Sequence, residues 1–356
     1  MNKLPDRIRI KDIARLAKVS VGTVDRVLHG RSGVSENSRK RVEHILKQLD
    51  YQPNMYASAL ASNKKYLFAC LLPQHHDGEY WTAVEKGIHA AIATYSDFHI
   101  TVSISYYDPY NYSSFLETGE KALEDIPDGI MFAPTAPQFT KTFTDQLDEQ
   151  AIPYIYIDSN IKEIPPLAFF GQNSQQSGYF AARMLMLIAG NKKGIAIFRK
   201  IKEGTVGSNQ QENREIGFRQ YMAEHHPNCQ ILDLDLHVKR PEEDCTMLEH
   251  FFREHPEVNC GITFNSKAYI IGEYLKEHHM EDFGLIGYDL LERNIQSLKD
   301  GYITFLIAQQ PELQGYNSIK AFCEHLILKK SVDPVNYMPI DLITKETVDY
   351  YLKFQR

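Results

Sequence analysis

The sequence predicts two architectures in series. An all-α headpiece of three short helices with a helix-turn-helix module comes first. An α/β body of doubly wound parallel sheets, arranged as two lobes, follows. Three observations carry this expectation. Up to about residue 52, apolar residues recur at helical spacing. From Tyr66 onward, short β-rich runs alternate with helical stretches. The charge changes sign at the same place. Residues 1–64 hold thirteen Lys and Arg against six Asp and Glu, a balance of +7, whereas the remainder carries −14.

In the headpiece, Ile10, Ile13, Ala14, Leu16 and Ala17 give IKDIARLA an apolar helical face. A tight turn at AKVS leads to Ser20, an N-cap for the helix VGTVDRVL. His29 to Gly33 is loop chemistry. Ser35 then caps a third helix, ENSRKRVEHILKQLDY, in which Val42, Ile45, Leu46 and Leu49 share a face. Two helices joined by so short a turn, with a third behind them, form a helix-turn-helix. Pro53-Asn54 ends the pattern. MYASALASNKK, next along the chain, is too short for a stable isolated helix and is expected to fold only against a partner. The expected boundaries are 1–52 for the headpiece, 53–65 for a hinge helix and linker, and 66–356 for the body. The body divides into an N-lobe (about 66–170 and 310–337) and a C-lobe (about 171–309 and 338–356).

Nine runs in the body read as strands: YLFACLLP, FHITVSISYY, DGIMFAP, IPYIYID, KGIAIF, QILDLDL, CGITFN, FGLIGYD and YITFLIAQ. Helices are expected near 80–95, 113–124, 137–150, 174–189, 210–225, 242–254, 267–279 and 311–329. This alternation is the signature of open α/β sheets, whose ligands bind beyond the carboxyl ends of the strands.

Composition excludes several classes. The 356 residues are 43% hydrophobic and 24% charged, with no apolar stretch long enough to cross a bilayer. The charged start MNKLPDRIRIKDIARLA lacks the apolar run of a secretory signal, so a cytoplasmic location is expected. Five scattered cysteines without CxxC spacing give neither a disulfide framework nor a zinc site. His75-His76, His225-His226 and His278-His279 lack any spacing that would link them as metal ligands. QNSQQSG at 172–178 has no phosphate-loop spacing, and no nucleophile motif is visible. The expectation is a non-enzyme with no cofactor and no metal.

A basic head on an acidic body is the asymmetry expected when only the head meets phosphate. On the exposed start of VGTVDRVL lie Val21, Gly22, Asp25 and Arg26, with Val24, Val27 and Leu28 facing inward. Arg26 can reach guanine bidentately, Val21 can touch a thymine methyl, and Gly22 permits close approach. Thr23, Lys18, Arg31 and Arg39 are candidate phosphate contacts. The bland alternative is an ordinary solvated helix face.

The segment from IRIKDIARLAKVSVGTVDRVLHG through VSENSRKRVEHILKQLDYQPNMYASALAS resembles the headpiece of LacI-family transcription regulators over its full length. Val19-Ser20 with Thr23-Val24, Arg26-Val27-Leu28, and Tyr51-Gln52-Pro53-Asn54 carry the match. The resemblance implies a double-stranded DNA partner with a roughly palindromic operator and a homodimer. It assigns DNA contacts to Ser20, Val21, Gly22, Arg26 and Asn54. It also implies that Leu60, on paired hinge helices, wedges into the minor groove. Asp25 departs from the family's usual serine, and a carboxylate there repels DNA unless a neighbour pairs with it.

PDGIMFAP, IPYIYID and IGYD, with LKDGYITFLIAQQPELQGYNS, resemble the type I periplasmic sugar-binding fold of LacI sensors, closest to ribose-type binders. The effector-binding residues so implied are Tyr80 and Trp81 (an aromatic pair for a sugar face), Asp158, Arg214, Asn265, Asp289 and Gln309. Helix packing and strand-end turns are the alternatives. Ser159 stands where ribose-type binders carry arginine, Ala133 replaces a polar contact, and Ser266 replaces an aspartate. A larger sugar or a sugar acid is therefore left open. The implied function is a DNA-binding regulator, read as a repressor, controlled by a small-molecule carbohydrate. The rival is a solute-binding protein with no operator.

Overall fold

The computed structural model describes residues 9–28, 31–49, 51, 56, 59, 64–190, 194–202, 207–237 and 241–354. The chain divides into two units, residues 1–63 and 64–356.

Within the first unit, α1 (Ile10–Ala17), α2 (Val21–Leu28) and α3 (Glu36–Gln48) pack around Ile13, Ala14, Ala17, Val24, Val27 and Val42. Lys18 takes the left-handed conformation (φ 52°), and the Val19 N–H returns to the Ala14 carbonyl at 3.0 Å, which closes α1 sharply. Ser20 Oγ accepts from the Thr23 N–H at 3.1 Å and so starts α2. Ser35 does the same for α3 through the Ser38 N–H. Leu16 departs from its expected inward placement, being 42% exposed. It lies on the flank of the face that Ile13 and Ala17 bury.

The second unit contains two six-stranded sheets, ordered β11-β5-β4-β3-β1-β2 and β12-β10-β9-β8-β6-β7. The first comprises β1 (Tyr66–Pro73), β2 (Ile100–Tyr107), β3 (Gly129–Phe132), β4 (Tyr154–Ile157), β5 (Ala168–Gly171) and β11 (Val335–Tyr337), all parallel. The second comprises β6 (Gly194–Ile201), β7 (Gln230–His237), β8 (Val258–Ile262), β9 (Gly284–Tyr288), β10 (Phe305–Ala308) and β12 (Asp341–Ile343). Here only the β10–β12 pair is antiparallel. The chain passes between sheets three times: after β5, after β10 and after β11.

Around the first sheet lie α4 (Tyr80–Thr94), α5 (Tyr112–Glu124), α6 (Pro137–Glu149) and α12 (Pro311–Phe322). Around the second lie α7 (Ser174–Ala189), α8 (Asn209–His225), α9 (Asp244–Glu254), α10 (Tyr269–Glu277), α11 (Glu292–Lys299) and α13 (Val348–Phe354). Each lobe has one helix pair brought close by glycines. A Cβ on Gly87 of α4 would lie 1.8 Å from the Glu312 carbonyl oxygen, and one on Gly178 of α7 would lie 1.8 Å from that of Arg214. Backbones at that separation leave no room for a side chain.

All nine expected strands are present, with three more. β5 (AFFG) has four residues buried on both faces, so it shows no alternation to read. β11 and β12 have three residues each. α11 and α13 are likewise additional, being short and mostly polar or exposed. The helix expected over 311–329 is α only to Phe322 and continues as a π turn, Cys323–Ile327. The one expected from 242 opens with a 3₁₀ turn, Pro241–Glu243.

Candidate functional sites

On the first unit, α2 turns Val24 and Val27 inward and leaves Val21, Gly22 and Arg26 exposed. Val21 is 51% exposed, and a Cβ on Gly22 would meet only Ser20 Oγ, at 3.8 Å, so this surface is open. Lys18 and Ser20 flank it in the open, while Thr23 is half-buried with its hydroxyl 2.9 Å from that of Ser20. Arg31 and Arg39 are tied down rather than free. Arg31 Nη1 donates to Asp25 Oδ2 at 3.3 Å, and Arg39 Nη2 donates to the Arg31 carbonyl at 3.3 Å. The departure at position 25 thus comes with its own counter-charge. Asn54 and Leu60 lie outside the described residues.

In the second unit, the cleft between the two sheets brings together most of the expected effector residues: Asp158, Asp289 and Gln309 just after strands, Tyr80 and Trp81 at the start of α4, and Arg214 on α8. Asp158 follows β4 and Asp289 follows β9 in matching fashion. Both adopt positive φ (65° and 73°), and each donates its N–H at 3.0 Å to the adjoining strand, at Phe170 and Ile307. Aspartate tolerates the left-handed region better than most residues, which suits it to a strand end that must turn at once.

Arg214 enters the cleft from α8 and is 1% exposed. Its Nη1 donates to the Phe264 carbonyl and its Nη2 to Gln309 Oε1, both at 2.8 Å, and its guanidinium lies 3.8 Å over the Tyr288 ring. Gln309 in turn donates to Asp289 Oδ1 at 2.6 Å. The Arg214 Nε has no hydrogen-bond partner among the described residues. Tyr80 is buried against this group with its phenol toward Asp158, and Trp81 lines the cavity beside it.

Burial pushes both carboxyls up: Asp158 rises, and Asp289 reaches about 7, with Arg214 pulling each back down. One guanidinium serves two buried acids. Asn265 stands somewhat apart: half-exposed, it accepts the Lys267 N–H at 2.8 Å as a turn residue does.

Residues not anticipated complete the cleft. Gln210, one turn before Arg214 on α8, donates to both the Asp158 carbonyl (3.0 Å) and Gln309 Oε1 (2.9 Å), joining the lobes. Gln314 accepts the Asp158 N–H at 3.1 Å and donates to the Gln309 carbonyl at 2.9 Å. At the rim, Lys267 pairs with Glu79 at 3.0 Å and Lys202 with Asp108 at 2.8 Å. Amide-rich SNQQENR marks a helix start, but nothing in it reveals which amide turns inward. Among the described residues, no group of three His, Cys, Asp or Glu could hold a metal ion, and no helix is long and apolar enough to cross a membrane.

An exposed helix-turn-helix face, on one chain with a two-lobed cleft of buried acids, arginine and aromatics, defines a class: small-molecule-responsive bacterial DNA-binding regulators. Comparison with known proteins agrees. Residues 9–54 match the family described as bacterial regulatory proteins, lacI family, and residues 68–330 match the periplasmic binding protein domain. The crystal structure of a putative LacI transcriptional regulator from Bacteroides fragilis is 67% identical, covering 81% of this chain and all of that one, with a TM-score of 0.79. The chain belongs to the LacI family. Catabolite control protein A of Staphylococcus xylosus is 30% identical over 156 residues, 44% of this chain and 45% of that protein. The match thus spans less than half the length of that curated relative. A solute-binding protein from Burkholderia graminis, solved with D-arabinose, shares the fold (TM-score 0.70) at 16% identity over 81% of this chain and 98% of its own.

Proposed function

We propose that this chain is a cytoplasmic, sequence-specific transcription regulator that acts as a repressor under the control of a carbohydrate effector and has no enzymatic activity. It binds a roughly palindromic operator as a homodimer, without membrane association. The observation that carries this reading is the joining, in one chain, of an open α2 face with Val21, Gly22 and Arg26 to a cleft that converges Asp158, Arg214, Asp289 and Gln309. Recognition helices read base edges with such residues. Carboxylates, a guanidinium and aromatic rings are the groups that hold sugar hydroxyls and C–H faces.

Effector and DNA then act on one equilibrium. A sugar bridging both lobes favours the closed cleft, and DNA favours whichever state lets the headpieces fit two half-sites. Each ligand therefore changes the affinity for the other by the same factor. Asn54 and Leu60 belong to the hinge in this reading, with Leu60 as the minor-groove wedge.

The test is recovery of genomic DNA bound by purified protein, with and without sugar mixtures. A palindrome whose recovery responds to one sugar is expected. No enriched site under any condition would defeat the regulator reading and favour a solute binder.

A further inference from the structure

Beside Trp81 the closed cleft retains a cavity of about 30 Å³, room for one water-sized group. Its lining comes from both lobes: the rings of Trp81, Tyr107 and Tyr112, the carboxyl residues Asp158 and Glu212, and Thr135. Among the described residues, no lysine or arginine lines it. Thr135 is 8% exposed, and its Oγ1 has no hydrogen-bond partner among the described residues, so a buried oxygen acceptor stands unused in the cavity wall. A native interior leaves few such atoms unsatisfied unless something else occupies the site.

The charges point the same way. Asp158 and Asp289 share the guanidinium of Arg214. Glu212 feels the like charge of Glu215 and has no ion pair among the described residues. The nearest lysines are already committed, Lys267 to Glu79 and Lys202 to Asp108. Ser159 and Ala133, both lining the cavity, offer no positive charge. An anionic ligand would add to an existing surplus of negative charge. A neutral one would bring no counter-charge to the buried Asp158.

We propose that this cavity is an ammonium seat, with Trp81 as its aromatic floor, Glu212 and Asp158 as counter-ions and Thr135 Oγ1 as acceptor, so that the effector is an amino sugar. An ammonium group supplies three donors to those three oxygen-bearing groups and a charge to the indole face. A positive charge there would offset the desolvation that raises Asp158. This inference rests on the reading of the cleft as a carbohydrate site, but it chooses among carbohydrates.

The experiment titrates the full chain with matched pairs, D-glucosamine against D-glucose and D-galactosamine against D-galactose. D-gluconate and N-acetyl-D-glucosamine serve as anionic and uncharged controls. Binding is read by calorimetry and by emission from Trp81, the chain's only tryptophan. At least one amine is expected to bind about ten-fold or more tightly than its neutral partner, the worth of one compensated charge. Glu212→Gln, at an exposed position on the first turn of α8, is expected to erase that preference while leaving thermal stability unchanged. Neutral sugars binding as well as or better than their amines would overturn the ammonium seat alone, as would a preference that survives Glu212→Gln. Failure of every sugar in the panel to bind would overturn the seat and count against the carbohydrate reading as well.

Discussion

Gln172 donates one amide nitrogen to the Ala308 carbonyl at 2.9 Å, tying the first passage between the lobes to the second. The same nitrogen reaches the Pro339 carbonyl on the third passage at 2.6 Å. Its oxygen accepts from Ser177 Oγ, which lies 3.0 Å from the Tyr288 hydroxyl under the Arg214 guanidinium. One side chain, 1% exposed, thus clamps all three crossings and connects, through Ser177, to the wall of the cleft between the lobes.

Removing that clamp is expected to loosen closure. Gln172→Met keeps the volume but strands the buried Ala308 carbonyl, at about 1–3 kcal/mol, and releases the solvent-accessible Pro339 carbonyl at less cost. Acrylamide quenching of Trp81 should increase and the melting temperature should fall by several degrees. Unchanged quenching would show that closure does not depend on the clamp.

Gly178→Ala is expected to be severe for a surface-to-surface helix contact. The added methyl would lie 1.8 Å from the Arg214 carbonyl oxygen, so α7 and α8 must separate. A loss of about 1–3 kcal/mol follows from overpacking. Because the displaced backbone carries Arg214, sugar affinity should fall along with stability. A variant with wild-type melting and wild-type affinity would contradict this account.

The Asp25–Arg31 pair makes a testable statement about salt. Asp25→Asn removes a carboxylate from the α2 face and frees Arg31, whose guanidinium the pair now holds. The slope of log affinity against log salt on non-specific DNA is expected to steepen by about one per headpiece. An identical slope would mean that Arg31 stays away from phosphate in both forms.

Arg26→Ala, by contrast, is expected to act on sequence preference. Loss of a bidentate base contact costs about 1–3 kcal/mol at one operator position and relaxes discrimination there. Uniform weakening on all sequences would assign Arg26 to the phosphate backbone instead.

Acid titration of the cleft has a definite sign. The Asp289 carboxyl, pushed up to about 7 by burial and by Asp158, lies above the ordinary carboxylate range of about 4. The folded chain holds this proton where the unfolded chain has lost it. This group's contribution to stability is therefore full below about pH 4, falls as the pH rises toward 7, and is flat above. Asp289→Asn should lessen the decline in melting temperature between about pH 4 and 7. Parallel melting profiles for the two proteins would show that Asp289 ionises without cost.

The order of strands and helices, and the inward faces of α1 to α3, were legible because hydrophobic spacing is a local property of the chain. Val24 and Val27 face inward as that spacing requires, and β1 to β4 and β6 to β10 fall on their apolar runs. Asp158 and Asp289 could be placed at strand ends because a carboxylate directly after an apolar run marks the turn out of a sheet. What only the tertiary structure decided is which polar groups meet. Gln172, Gln210 and Gln314 look like any amides on a surface helix or loop. They become a hinge clamp and a cleft lining because the chain crosses between lobes three times and brings together segments as far apart as residues 172 and 339. Local periodicity fixes which way a side chain faces on its own element, whereas a hydrogen bond between distant segments depends on the path of the whole chain.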